Sequence, residues 1–126
     1  MRRELVTGNA PAPAGAYSQG IEAGRLIFTA GQGPADPSTG VVPVGIGAQT
    51  RQAIQNVAAI LEIAGCSLSD VVKATVHLAD LADFAAFDAV YEEYFHGARP
   101  VRTTVGSQLL GILVEIDVIA LRPTNE

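Results

Sequence analysis

Glu115 stands between Val114 and Ile116 in a run of large apolar residues. A carboxylate buried there without a partner costs on the order of several kcal/mol. Glu115 therefore reads in one of two ways, as an outward-facing surface residue or as a partly buried acid or base. Arg102 follows Arg99-Pro100-Val101 at the start of a candidate strand. It reads as a surface residue or as a planar fork presented to a carboxylate. The two residues fall on candidate neighbouring strands joined by a short loop. A cationic anchor beside an acid or base suits a small substrate that bears a carboxylate. Tyr17 follows a Pro/Gly-rich loop and reads as a packed aromatic or as the residue closing such a pocket.

Other chemistries find less support. His77 and His96 have no partner at metal-ligand spacing, so a metal centre is not expected. No cofactor is expected either. His77 reads as an ordinary strand residue and His96 as a charge partner at a helix end. No Gly-x-Ser-x-Gly elbow is present. Gly31-Gln32-Gly33 lacks a following helix of phosphate-binding type. The single cysteine, Cys66, excludes an internal disulfide framework and reads as an inert thiol. The net charge is −5, with Lys73 the one lysine and the arginines scattered, which disfavours nucleic-acid binding.

The chain has 126 residues, 48% hydrophobic and 17% charged, which fits one domain over residues 1–126 with a full core and rules out intrinsic disorder. Its start lacks the apolar run of a signal peptide, and no stretch approaches ~18 apolar residues. A soluble cytoplasmic protein without a membrane partner is the expectation.

The elements that must hold these residues follow from periodicity and turn chemistry. The prolines of Asn9–Gly15 exclude a regular helix. Tyr17–Glu22 and Arg25–Thr29 predict a hairpin turning at Ala23-Gly24. Gly31 to Gly40 is loop. Gly47–Ala64 predicts a helix, with Ile54, Val57, Ala58, Leu61 and Ala64 on one face and Gly65 as its stop. Val71–Ala79 predicts a strand with Val72, Ala74, Val76 and Leu78 on one face. Asp83 is expected to cap a helix from Phe84 to about His96, with Phe84, Phe87 and Tyr91 in its apolar stripe. Val101–Val105 and Ile112–Leu121 predict two more strands. The resulting β-β-loop-α-β-α-β-β order implies an α+β fold, a mixed sheet of four to six strands with two helices on one face. Both faces of Ile112–Leu121 carry large apolar groups, so a neighbouring subunit is the simplest cover for the second.

The ordered set resembles the Rid family, the RidA/YjgF-type reactive intermediate deaminases. The matching segments are Ala10–Gln19, Phe28–Pro34, Asp36–Gly40, Gln49–Asn56, Val71–Val76, Phe84, Tyr91, Tyr94-Phe95, Pro100–Thr103 and Val114–Asp117. The match runs from about Leu5 to Ala120. The resemblance implies a chorismate-mutase-like α+β fold, assembled as a homotrimer with sites at subunit clefts. It also implies hydrolysis of reactive enamines or imines of small carboxylates to 2-oxo acids and ammonia. By the family's pattern Arg102 grips the substrate carboxylate and Glu115 positions or activates water. Tyr17 lines the pocket, and Gly31 lends backbone to its wall.

Several positions depart from the pattern. Ala16 stands where many members have proline, Asp88 where many have asparagine, and Thr104 where many have cysteine. If Asp88 reaches the pocket it adds negative charge there, and Thr104 excludes thiol chemistry. The loop from Gly106 to Gly111 is shorter and lacks the usual Leu-Pro pair. These changes leave room for a specialised substrate such as an aminomuconate-like enamine. A non-catalytic, carboxylate-binding regulatory trimer is the main alternative. Retention of both Arg102 and Glu115 favours the enzyme over it. A ribonuclease and a chaperone-like holdase are the remaining readings. The acidic balance, the single lysine and the lack of a histidine pair count against the first of these.

Overall fold

A computed structural model describes residues 1–124. The order is β1 (Arg2–Leu5), β2 (Gly20–Ala23), β3 (Leu26–Thr29), α1 (Ile46–Ile63), β4 (Val71–Leu78), α2 (Phe84–Tyr94), β5 (Val101–Gly106) and β6 (Val114–Leu121). The strands form one six-stranded sheet in the order β1-β2-β3-β6-β4-β5. Only β4 and β5 pair in parallel, and α2 makes the crossover that such a pair requires. Glycine at positive φ serves the two predicted breaks, Gly24 (φ 62°) in the β2–β3 hairpin and Gly65 (φ 74°) after α1.

Alternation places Ile27, Ala74, Val76, Leu78, Val114, Ile116, Val118 and Ala120 on one sheet face, where they share a core with both helices. Ile54, Val57, Ile60 and Leu61 come from α1, and Phe87, Tyr91 and Phe95 from α2 and its end. The opposite face carries Phe28, Leu26, Leu121, Val101 and Val105, each between 37% and 67% exposed. Polar side chains pin the loops to this frame. Buried Asn56 donates from Nδ2 to the carbonyls of Gly33 (2.9 Å) and Ala35 (3.0 Å). Buried Gln49 accepts from the Leu113 N–H and donates to the Pro43 carbonyl. Gln19 clamps the first loop by exchanging bonds with both backbone groups of Thr7.

Four expectations need correction. Residues Arg2–Leu5 form an edge strand that pattern did not announce, because only Leu5 reaches the core. A break in register between Val71 and Lys73 buries Val71 and leaves Val72 44% exposed, shifting the predicted face of β4 at its start. α2 ends at Tyr94, and Asp83 makes no capping bond. The Asp80 carboxylate instead accepts from the Ala82 N–H (2.9 Å) and starts a short 3-10 turn over Leu81–Asp83. Finally, β4 lies between β5 and β6, so Arg102 and Glu115 are not on neighbouring strands. The apolar β6 is hydrogen-bonded on both edges, to β3 and to β4, a central position that suits a strand with four fully buried residues.

Candidate active site

Arg102 is the second residue of β5 and points to the helix side of the sheet, in the row of Ala74. There it meets the apolar stripe of α2. Its guanidinium carbon lies 4.6 Å from the ring centroid of Tyr91, 5.4 Å from Phe87 and 5.5 Å from Phe84. These contacts orient a cation while partly removing it from water. Nη1 donates to Asp88 Oδ1 at 2.7 Å, and the Arg102 side chain is 21% exposed. Asp88 sits on the same face of α2 as its aromatic neighbours, four residues after Phe84 and three before Tyr91. Among the described residues the buried Tyr91 hydroxyl has no hydrogen-bond partner. Burial pushes its ionisation above the usual tyrosine range, opposed by Arg102. A cavity of about 310 Å³ opens here, lined by Asp88, Tyr91, Phe95 and Pro100 with Arg99 and Arg102. Thr104, two residues along β5, lies half-buried on the same side and makes no side-chain hydrogen bond among the described residues.

Glu115 lies on the other face. It is opposite His77 on β4, half-buried, with its carboxylate against Gly31. A backbone bridge between Gln32 and Ile116 (2.8 and 3.0 Å) holds the Gly31 loop against β6. The Gly31 contact depends on the missing side chain, since a β-carbon there would stand 2.8 Å from the Glu115 carboxyl carbon. Gly31 is thus the seat of the carboxylate rather than only a stretch of wall. The Tyr17 loop reaches the same end of the sheet, where the Ala30 N–H donates to the Gln19 carbonyl (2.8 Å). Tyr17 itself is 51% exposed, and its hydroxyl accepts from the Ala14 N–H at 3.0 Å.

The structure therefore sorts the six candidates into two groups. Arg102, Asp88 and Thr104 lie on the helix side of β5, while Glu115 and Gly31 lie at one end of the sheet on the far face of β6, with the Tyr17 loop beside them. One chain does not bring its own Arg102 and Glu115 together.

Sequence reasoning missed the aromatic cage as a functional feature. The signal was Asp88 itself, a carboxylate inside an apolar stripe. It also missed the surroundings of His77, whose Nδ1 is 2.8 Å from Ser107 Oγ and whose strand position faces Glu115. Next along β6, burial raises the Asp117 carboxyl above its ordinary range, opposed by His77 and Lys73. Among the described residues, no group of three or more His, Cys, Asp or Glu is placed to hold a metal, and no helix is long and apolar enough to cross a membrane. Cys66 is buried, and burial raises its thiol.

Residues 7–122 match the family model described as endoribonuclease L-PSP. A RutC family protein of Pyrococcus horikoshii is 49% identical, covering 97% of this chain and 99% of that protein. The 2-iminobutanoate/2-iminopropanoate deaminase of Escherichia coli K12 is 45% identical over 97% of this chain and 99% of its own. Among solved structures, the YjgF gene product of E. coli superposes with a TM-score of 0.92 at 43% identity, covering 96% of this chain and 99% of that one. E. coli TdcF with bound serine superposes with a TM-score of 0.92 at 37% identity and the same coverage.

Proposed function

The chain belongs to the endoribonuclease L-PSP family, that of the YjgF/RidA-type Rid proteins, and we propose that it hydrolyses 2-imino acids and their enamine tautomers to 2-oxo acids. The observation that carries this reading is the 45% identity, over nearly the full length of both chains, to the E. coli iminobutanoate/iminopropanoate deaminase. The geometry supports it by supplying an anchored arginine fork and a seated carboxylate without a covalent nucleophile.

The chemistry asks little more. In R–C(=NH2⁺)–COO⁻ the iminium carbon is already electrophilic. Arg102 holds the carboxylate and orients that carbon. Glu115 accepts a proton from the attacking water as the C–O bond forms, and returns it to nitrogen in the carbinolamine. The C–N bond then breaks as the carbinolamine hydroxyl gives its proton to Glu115, the carbonyl forms, and nitrogen leaves as ammonia, which takes up that proton. Overall, iminium and water give the 2-oxo acid and ammonium. Tyr17 closes the pocket, Gly31 seats Glu115, and Asp88 and Thr104 line the arginine side.

This division of labour needs two chains. Because Arg102 and Glu115 lie on opposite sides of the sheet, Arg102 of one copy is proposed to meet Glu115 of the next. A ring of three identical domains, closed by the apolar second sheet face, satisfies that head-to-tail pairing. The reading extends to a cytoplasmic homotrimer without a nucleic-acid or membrane partner. Against RNA cleavage, His77 is tied to Ser107 on the sheet while His96 lies exposed past the end of α2, so no histidine pair forms.

The test generates 2-iminopropanoate in situ with an amino-acid oxidase and traps it with semicarbazide. Wild-type protein should suppress the trapped product, and Arg102→Ala should not. A folded oligomer that suppresses nothing sinks this reading and shifts weight to a specialised substrate or to binding without catalysis.

A further inference from the structure

The arginines lining the cavity are already paired. Arg99 Nη2 lies 3.1 Å from Glu92 Oε1, and Arg102 Nη1 lies 2.7 Å from Asp88 Oδ1. The exposed Arg99 pair is soft, but the Arg102 pair is packed against three aromatic rings. Asp88 spends one oxygen on that bond. Among the described residues its Oδ2 accepts no hydrogen bond, and the remaining N–H groups of Arg102 make none. The anchor thus presents cationic donors directly beside a free anionic acceptor.

That arrangement discriminates by charge. A plain carboxylate gains from Arg102 but is repelled by Asp88 on the same guanidinium. A ligand with a protonated nitrogen next to its carboxylate gains from both. Extending the deaminase reading, we propose that Asp88 is a specificity-determining residue that makes the site prefer zwitterions over simple carboxylate anions. The substrate iminium is such a zwitterion, and the 2-oxo acid product is a bare anion. Asp88 therefore holds the nitrogen in its protonated, electrophilic form and weakens the hold on product once nitrogen has left. Weakening product more than substrate favours turnover rather than uniform tight binding.

The inference is tested on the intact protein by calorimetry with 2-aminobutanoate as the stable zwitterion and 2-oxobutanoate as the anion. Wild type and Asp88→Asn are compared. The amide keeps the size of the side chain and an oxygen acceptor for Arg102, so folding is retained, and a melting curve verifies it. The ratio of zwitterion to anion affinity should fall about tenfold in D88N, with 2-oxobutanoate binding more tightly. In the imine assay D88N should lose kcat/KM and become more sensitive to inhibition by 2-oxobutanoate. An unchanged affinity ratio, with imine hydrolysis intact in wild type, overturns the inference alone. A wild type that binds neither ligand also overturns it, and the imine assay then decides separately whether the deaminase reading falls.

Discussion

The carboxylate of Glu115 rests directly on the backbone of Gly31, in space that any other residue at position 31 would fill. Gly31→Ala should therefore displace the acid without touching its chemistry. We expect kcat/KM for imine hydrolysis to fall about a hundredfold, the scale of a misplaced reacting group. Melting temperature should change little, since the displaced side chain is half-buried at the site rather than packed in the core. Retention of full activity in G31A would show that the seat does not matter.

The opposed placement of Arg102 and Glu115 predicts complementation between two inactive proteins. Arg102→Ala and Glu115→Gln subunits, mixed one to one by unfolding and refolding, form hybrids in which one cleft draws an intact arginine and an intact glutamate from different chains. Random assembly into closed trimers restores about a quarter of wild-type activity. A mixture as inactive as its parents would place both residues in one chain's site, or in none.

Asn56 is the side chain on which the Gly33–Ala35 loop hangs. Replacing it with alanine strands two carbonyls and opens a small void. Asn56→Ala should lose about 1–3 kcal/mol of stability by denaturant titration. It should also lose activity in excess of that, because the same loop carries Gly31. Unimpaired activity in the folded fraction would separate the loop from the site.

Asp117 ties stability to pH. Burial raises its folded-state carboxyl above the unfolded value, outweighing His77 and Lys73. A raised acid stabilises the fold below its unfolded value, and that contribution is lost as pH rises through the folded value. At neutral pH the charged Asp117 is thus a liability. Asp117→Asn should raise the melting temperature at pH 7, with the advantage shrinking toward pH 4. An equal gain at both values would assign the effect to something other than this ionisation.

The two helices, five of the six strands and the glycine stops were legible because each depends on residues close in sequence. Ile54, Val57 and Leu61 announce α1 by spacing alone, and Gly65 its end. Neighbours across the sheet were not legible in this way. Nothing local in Ile112–Leu121 says that it pairs with β3 and β4 rather than with β5, and so Arg102 and Glu115 were expected on adjacent strands. The register break after Val71 costs no unusual residue and leaves no mark in the pattern. Asn56, Gln49 and Gln19 read as ordinary polar residues, because the carbonyls they satisfy are brought to them only by the fold. Of the candidate site, the residue types were visible and their division between two faces was not. Asp88 was marked as a departure, but its bond to Arg102 required the helix to be laid over β5.

The position of β6 also bears on how the protein is made. Among the described strands, the last in sequence is the one that joins β1-β2-β3 to β4-β5. Until it is synthesised, β3 and β4 each offer a bare, apolar edge with nothing between them. Neither half can complete its core early, and the nascent chain emerges with two templates for stray strand pairing. Emergence of β6 should therefore be the moment at which the sheet becomes a single cooperative unit. Nascent chains stalled within β6 would then be sensitive to protease, and those in which β6 has fully emerged would not.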